Sequence, residues 1–249
     1  MNLQKISNLK YSNLVNNPKK SLTEISGRYL ENAGSEKYIV KDIYKKLNLK
    51  TKSCSLLDIG CGHGKLTNLI VDLVLKKKID LTLCDIKTII SKLKKKNKKK
   101  NINYIASEFQ KYNFKKKIKF DRILMYSVIH YSNKPKNFIK KAFSILNKKG
   151  ILLLGDIPNI DKKYRFLRSK FGKKFEKKNK IKRFDINKLT LNYNSFLKHT
   201  KQNLSINDKF IFWIKKYFSS KKAKVLIYNQ PKKLPYSYTR LDILIKKNV

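Results

Sequence analysis

Apolar and polar positions along this chain alternate between two periods. Near-continuous apolar runs occur at CSLLDIG (54–60), IDLTLCDI (79–86), INYIAS (102–107), FDRILMYSVI (120–129) and GILLLGDI (150–157). Between most of them, apolar residues recur at helical spacing in KLTNLIVDLVLKK (65–77), IKTIISKLKKK (86–96) and PKNFIKKAFSILNKK (135–149). Strands that are apolar throughout are buried on both faces, so this alternation predicts a parallel sheet covered by helices on each side.

Outside that region the pattern changes. Residues 1–33 are polar with scattered apolar positions, and an amphipathic helix is expected from about Ser35, with Tyr38, Ile39, Ile43, Tyr44 and Leu47 on one face. The alternation stops again after Asp156, through residues 157–223. A structureless loop of that length is improbable in a compact domain, so the segment should carry helices or short strands, as a cap over a site. Two final strand patterns, KAKVLIYNQ (222–230) and YSYTRLDILIKK (236–247), are joined by PKKLP, which reads as a terminal hairpin completing the sheet.

At 249 residues and 41% hydrophobic, the chain can bury a full core. The formal net charge of +45 raises the question of a polyanionic partner. Only six of the 61 basic residues are Arg (Arg28, Arg122, Arg165, Arg168, Arg183 and Arg240), whereas phosphate and base recognition favours the planar guanidinium. Lysine is also spread along the whole chain, including the run KLKKKNKKKN at 92–101, which suits a solvated helix end. A solvated surface is therefore preferred to a nucleic-acid role. The three cysteines Cys54, Cys61 and Cys84 are odd in number and lie in or beside buried strands, which fits a reducing cytoplasm rather than a disulfide framework. No apolar stretch suits a signal peptide or a membrane span, so a cytoplasmic location is expected.

Chemistry concentrates in LLDIGCGHGKL (56–66), which holds three of the eight glycines within five residues. A strand ending at Gly60, followed by Gly62 and Gly64 and a helix from Lys65, brings backbone N–H groups and a helix N-terminus close to a nucleotide-type ligand. A dinucleotide fingerprint would need a third glycine where Lys65 stands. The Asp58 carboxylate would also repel a pyrophosphate, whereas it suits a ligand with an amino group and a sulfonium.

On these residues the sequence resembles the class I S-adenosylmethionine-dependent methyltransferases, whose glycine-rich motif LLDIGCGHG matches with Asp58, Gly60, Gly62 and Gly64 in place. The resemblance implies a Rossmann-like α/β fold: a mostly parallel seven-stranded sheet with helices on both faces, an antiparallel C-terminal hairpin and a cap insertion. It divides the chain into an N-terminal helical cap (1–50), a cofactor-binding core (51–156), a substrate-cap insertion (157–223) and the hairpin (224–249). The loop Gly60, Cys61, Gly62, Gly64 would line the methionine and ribose of S-adenosylmethionine, with Asp58 near its amino group.

Asp85 lies 27 residues after Asp58, at the end of the second strand run, near the separation of about 20 seen for ribose-binding acids. The alternative is an N-cap for the next helix. By the resemblance, Ile86 is an apolar neighbour of adenine, Glu108 stands where the family often places an acid on the adenine amino group, Phe109 lies beside it, and Ser127 lies near the mouth. His130 at the end of the fourth strand and Asp156 at the end of the fifth are the candidate bases, His130 because its ordinary pKa is near the operating pH. Structural roles stand beside both: a packed imidazole, and a turn ahead of Pro158. No metal is called for.

The nucleobase amino-methyltransferases carry Asn or Asp, two prolines and an aromatic after the fourth strand; here that place reads Ser127-Val128-Ile129-His130. A small-molecule or carbohydrate acceptor, methylated at O or N, therefore ranks first. RNA methylation through the lysine-rich surface and non-catalytic S-adenosylmethionine binding rank below it. Aromatics of the insertion (Tyr164, Phe166, Tyr193, Phe196, Phe212, Trp213) are candidates for an acceptor pocket, though core packing suits most of them better. Oligomeric state is not legible.

Overall fold

The computed structural model describes residues 3–17, 19–20, 34–50, 54–98, 101–178, 192–200, 204–234 and 236–248. Arg28, Arg183 and parts of the expected N-terminal cap and insertion lie outside the described residues.

A seven-stranded sheet has the order β3-β2-β1-β4-β5-β7-β6. Its strands are β1 (Ser55–Ile59), β2 (Asp80–Asp85), β3 (Asn103–Ala106), β4 (Phe120–Tyr126), β5 (Leu146–Pro158), β6 (Ala223–Asn229) and β7 (Arg240–Lys247). The first five pair in parallel, while β7 runs antiparallel between β5 and β6. Strand order reverses between β1 and β4, and in open α/β sheets that is where ligands bind, beyond the carboxyl ends of the strands.

Successive residues of one strand enter opposite cores, which is why the runs are apolar throughout. Leu57, Ile123, Met125, Leu152 and Leu154 join one cluster with Phe138 and Ile139 of α5 (Pro135–Ser144). Leu56, Leu124, Tyr126, Ile151 and Leu153 join the other. That second face is covered by α2 (Glu36–Lys46), α3 (Lys65–Lys76) and α4 (Lys87–Lys96), through Ile39, Ile43, Ile70, Val74, Ile89 and Leu93. The lysine run does close α4, whose last turn holds Lys94, Lys95 and Lys96.

Several elements depart from the periodicity. A helix, α1 (Leu3–Asn16), forms in the polar N-terminal stretch. Its Val15 is buried in the second cluster, and the Val15 carbonyl accepts a bond from Lys92 Nζ at 2.6 Å. The expected cap 1–50 therefore divides. Helix α2 covers the sheet, with Ile39 and Ile43 buried, Leu47 buried just after it and Tyr38 turned out to 51% exposure, while α1 lies against the loop after β1. Strand β4 stops at Tyr126, because Ser127 takes a φ of 59°, and a 3-10 turn (Ile129–Tyr131) follows.

The segment 157–223 likewise divides. It contains α6 (Ile160–Arg168), α7 (Lys170–Lys178), α8 (Tyr193–His199) and α9 (Asp208–Ser219). Of these, α9 buries Phe210, Ile211, Ile214 and Phe218 in the same cluster as α5, so it covers this face of the sheet. Tyr164, Phe166, Tyr193 and Phe196 instead surround Ile160 and Leu167 in a small separate core, and Phe212 is 66% exposed.

Candidate active site

The glycine loop leaves β1 at Ile59 and enters α3 at Lys65. Gly60 and Gly62 have φ of 67° and 66°, the left-handed region that costs a residue with a Cβ. A Cβ on Gly60 would lie 2.6 Å from Cγ2 of Val128, so the chain after β4 passes directly over the loop. Gly64 is extended, at φ −120° and ψ −176°, and occupies the N-cap of α3. Cys61 and Gly62 turn their carbonyls toward Thr67, whose hydroxyl donates to Cys61 O at 2.5 Å.

Asp85 is the partner of that loop. Its Oδ2 accepts the Gly62 N–H at 2.8 Å and its Oδ1 accepts the Ile86 N–H at 2.7 Å. The N-cap of α4 is Ile86, with no side-chain cap bond, so Asp85 reaches across to the loop instead of capping the helix. Asp58, one strand away, is buried in the sheet. Burial, then the charge of Asp85, pushes the Asp58 carboxyl up to about 7; burial pushes Asp85 up to about 6, against the pull of its two N–H donors. A buried and a partly buried carboxyl held this close to neutrality favour a ligand that brings positive charge and hydroxyl donors.

A residue that sequence reasoning missed completes the loop. Tyr11 of α1 accepts the His63 N–H at 3.0 Å, and its Oη lies 2.6 Å from the position a Gly62 Cβ would take. Burial raises its hydroxyl pKa, as do the charges of Asp85 and Cys61. No local signal marks it, since Tyr11 sits in a weakly amphipathic stretch.

At the third strand, Ser107 and Glu108 follow the carboxyl end of β3. The Glu108 carboxylate is paired with Lys111 Nζ at 2.9 Å. Phe109 is a correction: it is buried at 4% exposure among Phe114 and Phe138, with ring centroids 5.6 and 5.3 Å away, so it belongs to the core and not to the cofactor face. An aromatic beside a binding acid can point either way, and only the packing of α5 decides.

After β4, the Ser127 N–H donates to Gly155 O at 2.9 Å. His130 lies in the 3-10 turn with its ring 4.2 Å from that of Tyr131. Burial, and then the charge of Arg240, lowers its pKa to about 3, away from the titration expected near the operating pH. Asp156 is buried, with φ 56°, and its N–H donates to Asp242 Oδ1 at 2.7 Å. Arg240 Nη1 donates to the Asp156 carbonyl at 3.0 Å and lies 3.6 Å from Asp156 Oδ2. Arg240 was also missed; a lone arginine opening the last strand of a lysine-rich chain was the available signal. A cavity of about 430 Å³ beyond the 3-10 turn, between the first turns of α5 and α9, is lined by none of the sequence-predicted residues.

The residues present fit S-adenosylmethionine: beside the glycine loop at the carboxyl end of β1, Asp58 and Asp85 would offer carboxylates to its amino and hydroxyl groups. Residues 50–228 match the family described as a methyltransferase domain. Over 136 residues the chain is 30% identical to a ubiquinone biosynthesis O-methyltransferase of Pelagibacter ubique (strain HTCC1062), a stretch that is 52% of this chain and 55% of that relative, so the match spans about half the relative's length. Among solved structures, the plantazolicin methyltransferase BpumL, in complex with a triazolic desmethylPZN analog and SAH, is 17% identical with a TM-score of 0.60, covering 99% of this chain and 97% of that one. The N-methyltransferase NodS from Bradyrhizobium japonicum WM9, in complex with S-adenosyl-l-homocysteine, is 12% identical with a TM-score of 0.58 and covers 99% of both chains. No described helix is long and apolar enough to cross a membrane.

Proposed function

The chain belongs to the class I S-adenosylmethionine-dependent methyltransferase family, and from that premise we propose that it transfers a methyl group to an oxygen or nitrogen of a small-molecule acceptor. The observation that carries this reading is the Asp85–Gly62 bond, which fixes a carboxylate and the glycine loop as one surface beside Asp58. Asp58, Gly60, Cys61, Gly62, Gly64, Asp85 and Ile86 are the residues we assign to the cofactor, with Glu108 and Ser127 at its edges. When bound, the cofactor would supply a sulfonium methyl that passes to the acceptor atom while the C–S electron pair stays on sulfur and the acceptor's O–H or N–H proton leaves to water.

The chain's own part is alignment and exclusion of water, which can supply much of the acceleration in such a displacement. His130, neutral, accepts a hydrogen bond from the acceptor's O–H or N–H and orients it. Asp156, held by Arg240, is the second orienting group. Tyr11 closes the loop side of the cleft. The absence of the Pro-Pro-aromatic motif after β4 supports a small acceptor, of O- or N-type, over a nucleobase.

Calorimetric titration with S-adenosylmethionine and S-adenosylhomocysteine, at low and moderate salt and with a generic RNA as competitor, tests the reading. Saturable cofactor binding that RNA leaves untouched is expected. No binding of either cofactor overturns it, and cofactor binding coupled to salt-sensitive RNA binding transfers the acceptor to RNA.

A further inference from the structure

Of the described arginines, Arg122 is bonded to the Leu47 carbonyl at 2.6 Å, Arg165 pairs with Asp208 at 2.6 Å, and Arg168 lies over the Tyr164 ring. Arg240 is placed differently. It opens β7 opposite Pro158, at the carboxyl end of β5, and its charge acts on both His130 and Tyr131 of the turn after β4. Its side chain is 16% exposed, and its guanidinium is 5.4 Å from the centre of the Tyr236 ring.

A guanidinium that is partly covered but keeps open N–H groups can take anionic oxygens from a ligand in place of water. Among the described residues it makes one hydrogen bond, to the Asp156 carbonyl at 3.0 Å, and one loose ion pair, with the Asp156 carboxylate at 3.6 Å. That carboxylate is itself approached by Gln230 Nε2 at 3.5 Å. Asp242 is committed elsewhere, to the Asp156 N–H, Gln230 and Lys46. The remaining N–H groups of the fork make no hydrogen bond to the described residues and are open to solvent.

We propose that Arg240 is the specificity-determining residue for the acceptor: it binds a carboxylate of a small hydroxy- or amino-acid, leaving the hydroxyl or amine to meet the methyl group beside the turn that carries His130. The proposal rests on the methyltransferase reading above. A carboxylate is favoured because one rigid fork matches its two oxygens, and because arginine is used here in a chain whose basic residues are otherwise almost all lysine. RNA would instead require several spaced cations along a phosphate backbone.

The test compares paired probes, 3,4-dihydroxybenzoate with 3,4-dihydroxybenzamide and 4-aminobenzoate with 4-aminobenzamide. Their binding is followed by ligand-observed NMR with S-adenosylhomocysteine present, and their turnover with S-adenosylmethionine. Each acid should be preferred to its amide by roughly tenfold to a hundredfold, the range for a hydrogen-bonded charge pair. Arg240→Gln should bring the ratio to about one, and Arg240→Lys, which keeps the charge and a donor for the Asp156 carbonyl, should retain part of it, while calorimetry shows S-adenosylhomocysteine affinity retained in both. Equal binding of acid and amide, an unchanged ratio in Arg240→Gln, or no acid bound at millimolar concentration overturns the proposal. Loss of cofactor binding in the unaltered protein overturns the methyltransferase reading instead.

Discussion

The Asp85 carboxylate accepts the Gly62 N–H at 2.8 Å, tying the end of β2 to a loop 23 residues earlier. In the reading proposed above the carboxylate that shapes the loop also meets the cofactor, so the two substitutions at this position separate charge from hydrogen bonding. Asp85→Asn keeps an acceptor for Gly62 and should weaken S-adenosylhomocysteine binding by roughly tenfold, whereas Asp85→Ala should weaken it by about a hundredfold. Titration calorimetry reads both, with near-ultraviolet circular dichroism confirming a retained fold. Unchanged affinity in Asp85→Ala removes Asp85 from the cofactor's contacts.

Gly60 tests the backbone of the loop. A Cβ there combines a positive φ with a 2.6 Å approach to Val128, so Gly60→Ala should cost about 1–3 kcal/mol in denaturant unfolding and weaken the cofactor. Adding Val128→Ala should recover part of that loss, because the clash goes while the φ penalty stays. Additive losses in the double variant mean that Val128 does not press on the loop.

Asp58 and Asp85 make binding a proton-linked event. Their folded pKa values, about 7 and about 6, exceed the ordinary 3.8, so the folded chain without cofactor holds more protons than the unfolded one between roughly pH 4 and 7. Stability from these two groups is therefore present at the acid end of that window and lost as pH rises through it. A cationic cofactor favours the ionised carboxylates and should release protons on binding near pH 6. Calorimetry in buffers of different ionisation enthalpy measures the release, which should fade above about pH 8. Proton uptake would have the opposite sign and would falsify this assignment.

His130 should behave as a neutral imidazole. With burial and Arg240 holding its pKa to about 3, its ring resonances should not titrate from about pH 5 to 8, and the pH–rate profile should show no inflection from it. His130→Ala is expected to leave cofactor affinity intact and slow transfer, and His130→Asn to keep more of the rate by restoring a hydrogen-bonding group. An unaltered rate in His130→Ala returns the residue to a packing role.

Tyr11 couples the N-terminal helix to the loop. Tyr11→Phe removes the acceptor of the His63 N–H and should lower stability by about 1 kcal/mol. On cofactor binding, hydrogen exchange of the amides of residues 8–16 should slow, as the loop beneath α1 becomes ordered. Exchange that ignores the cofactor there would separate α1 from the site.

Periodicity and local motif carried what depends on neighbours in sequence. The five parallel strands, the helices between them, the terminal hairpin and the loop Gly60–Gly64 were legible because an apolar run, a 3.6-residue stripe and a strand–turn–helix junction each declare themselves within a dozen residues or so. Asp85 was legible too, since its distance from Asp58 is set by one helix and one strand. The tertiary structure alone decided the rest. Tyr11 reaches the loop from 52 residues upstream, and Arg240 meets Asp156 across 84 residues, through contacts between segments with no periodic relation to one another. Packing decided that Phe109 faces the core, that α9 covers the sheet, and that His130 lies beside a cation in surroundings that disfavour its protonated form. Burial and electrostatic environment belong to the assembled fold, and a residue's type and spacing do not contain them.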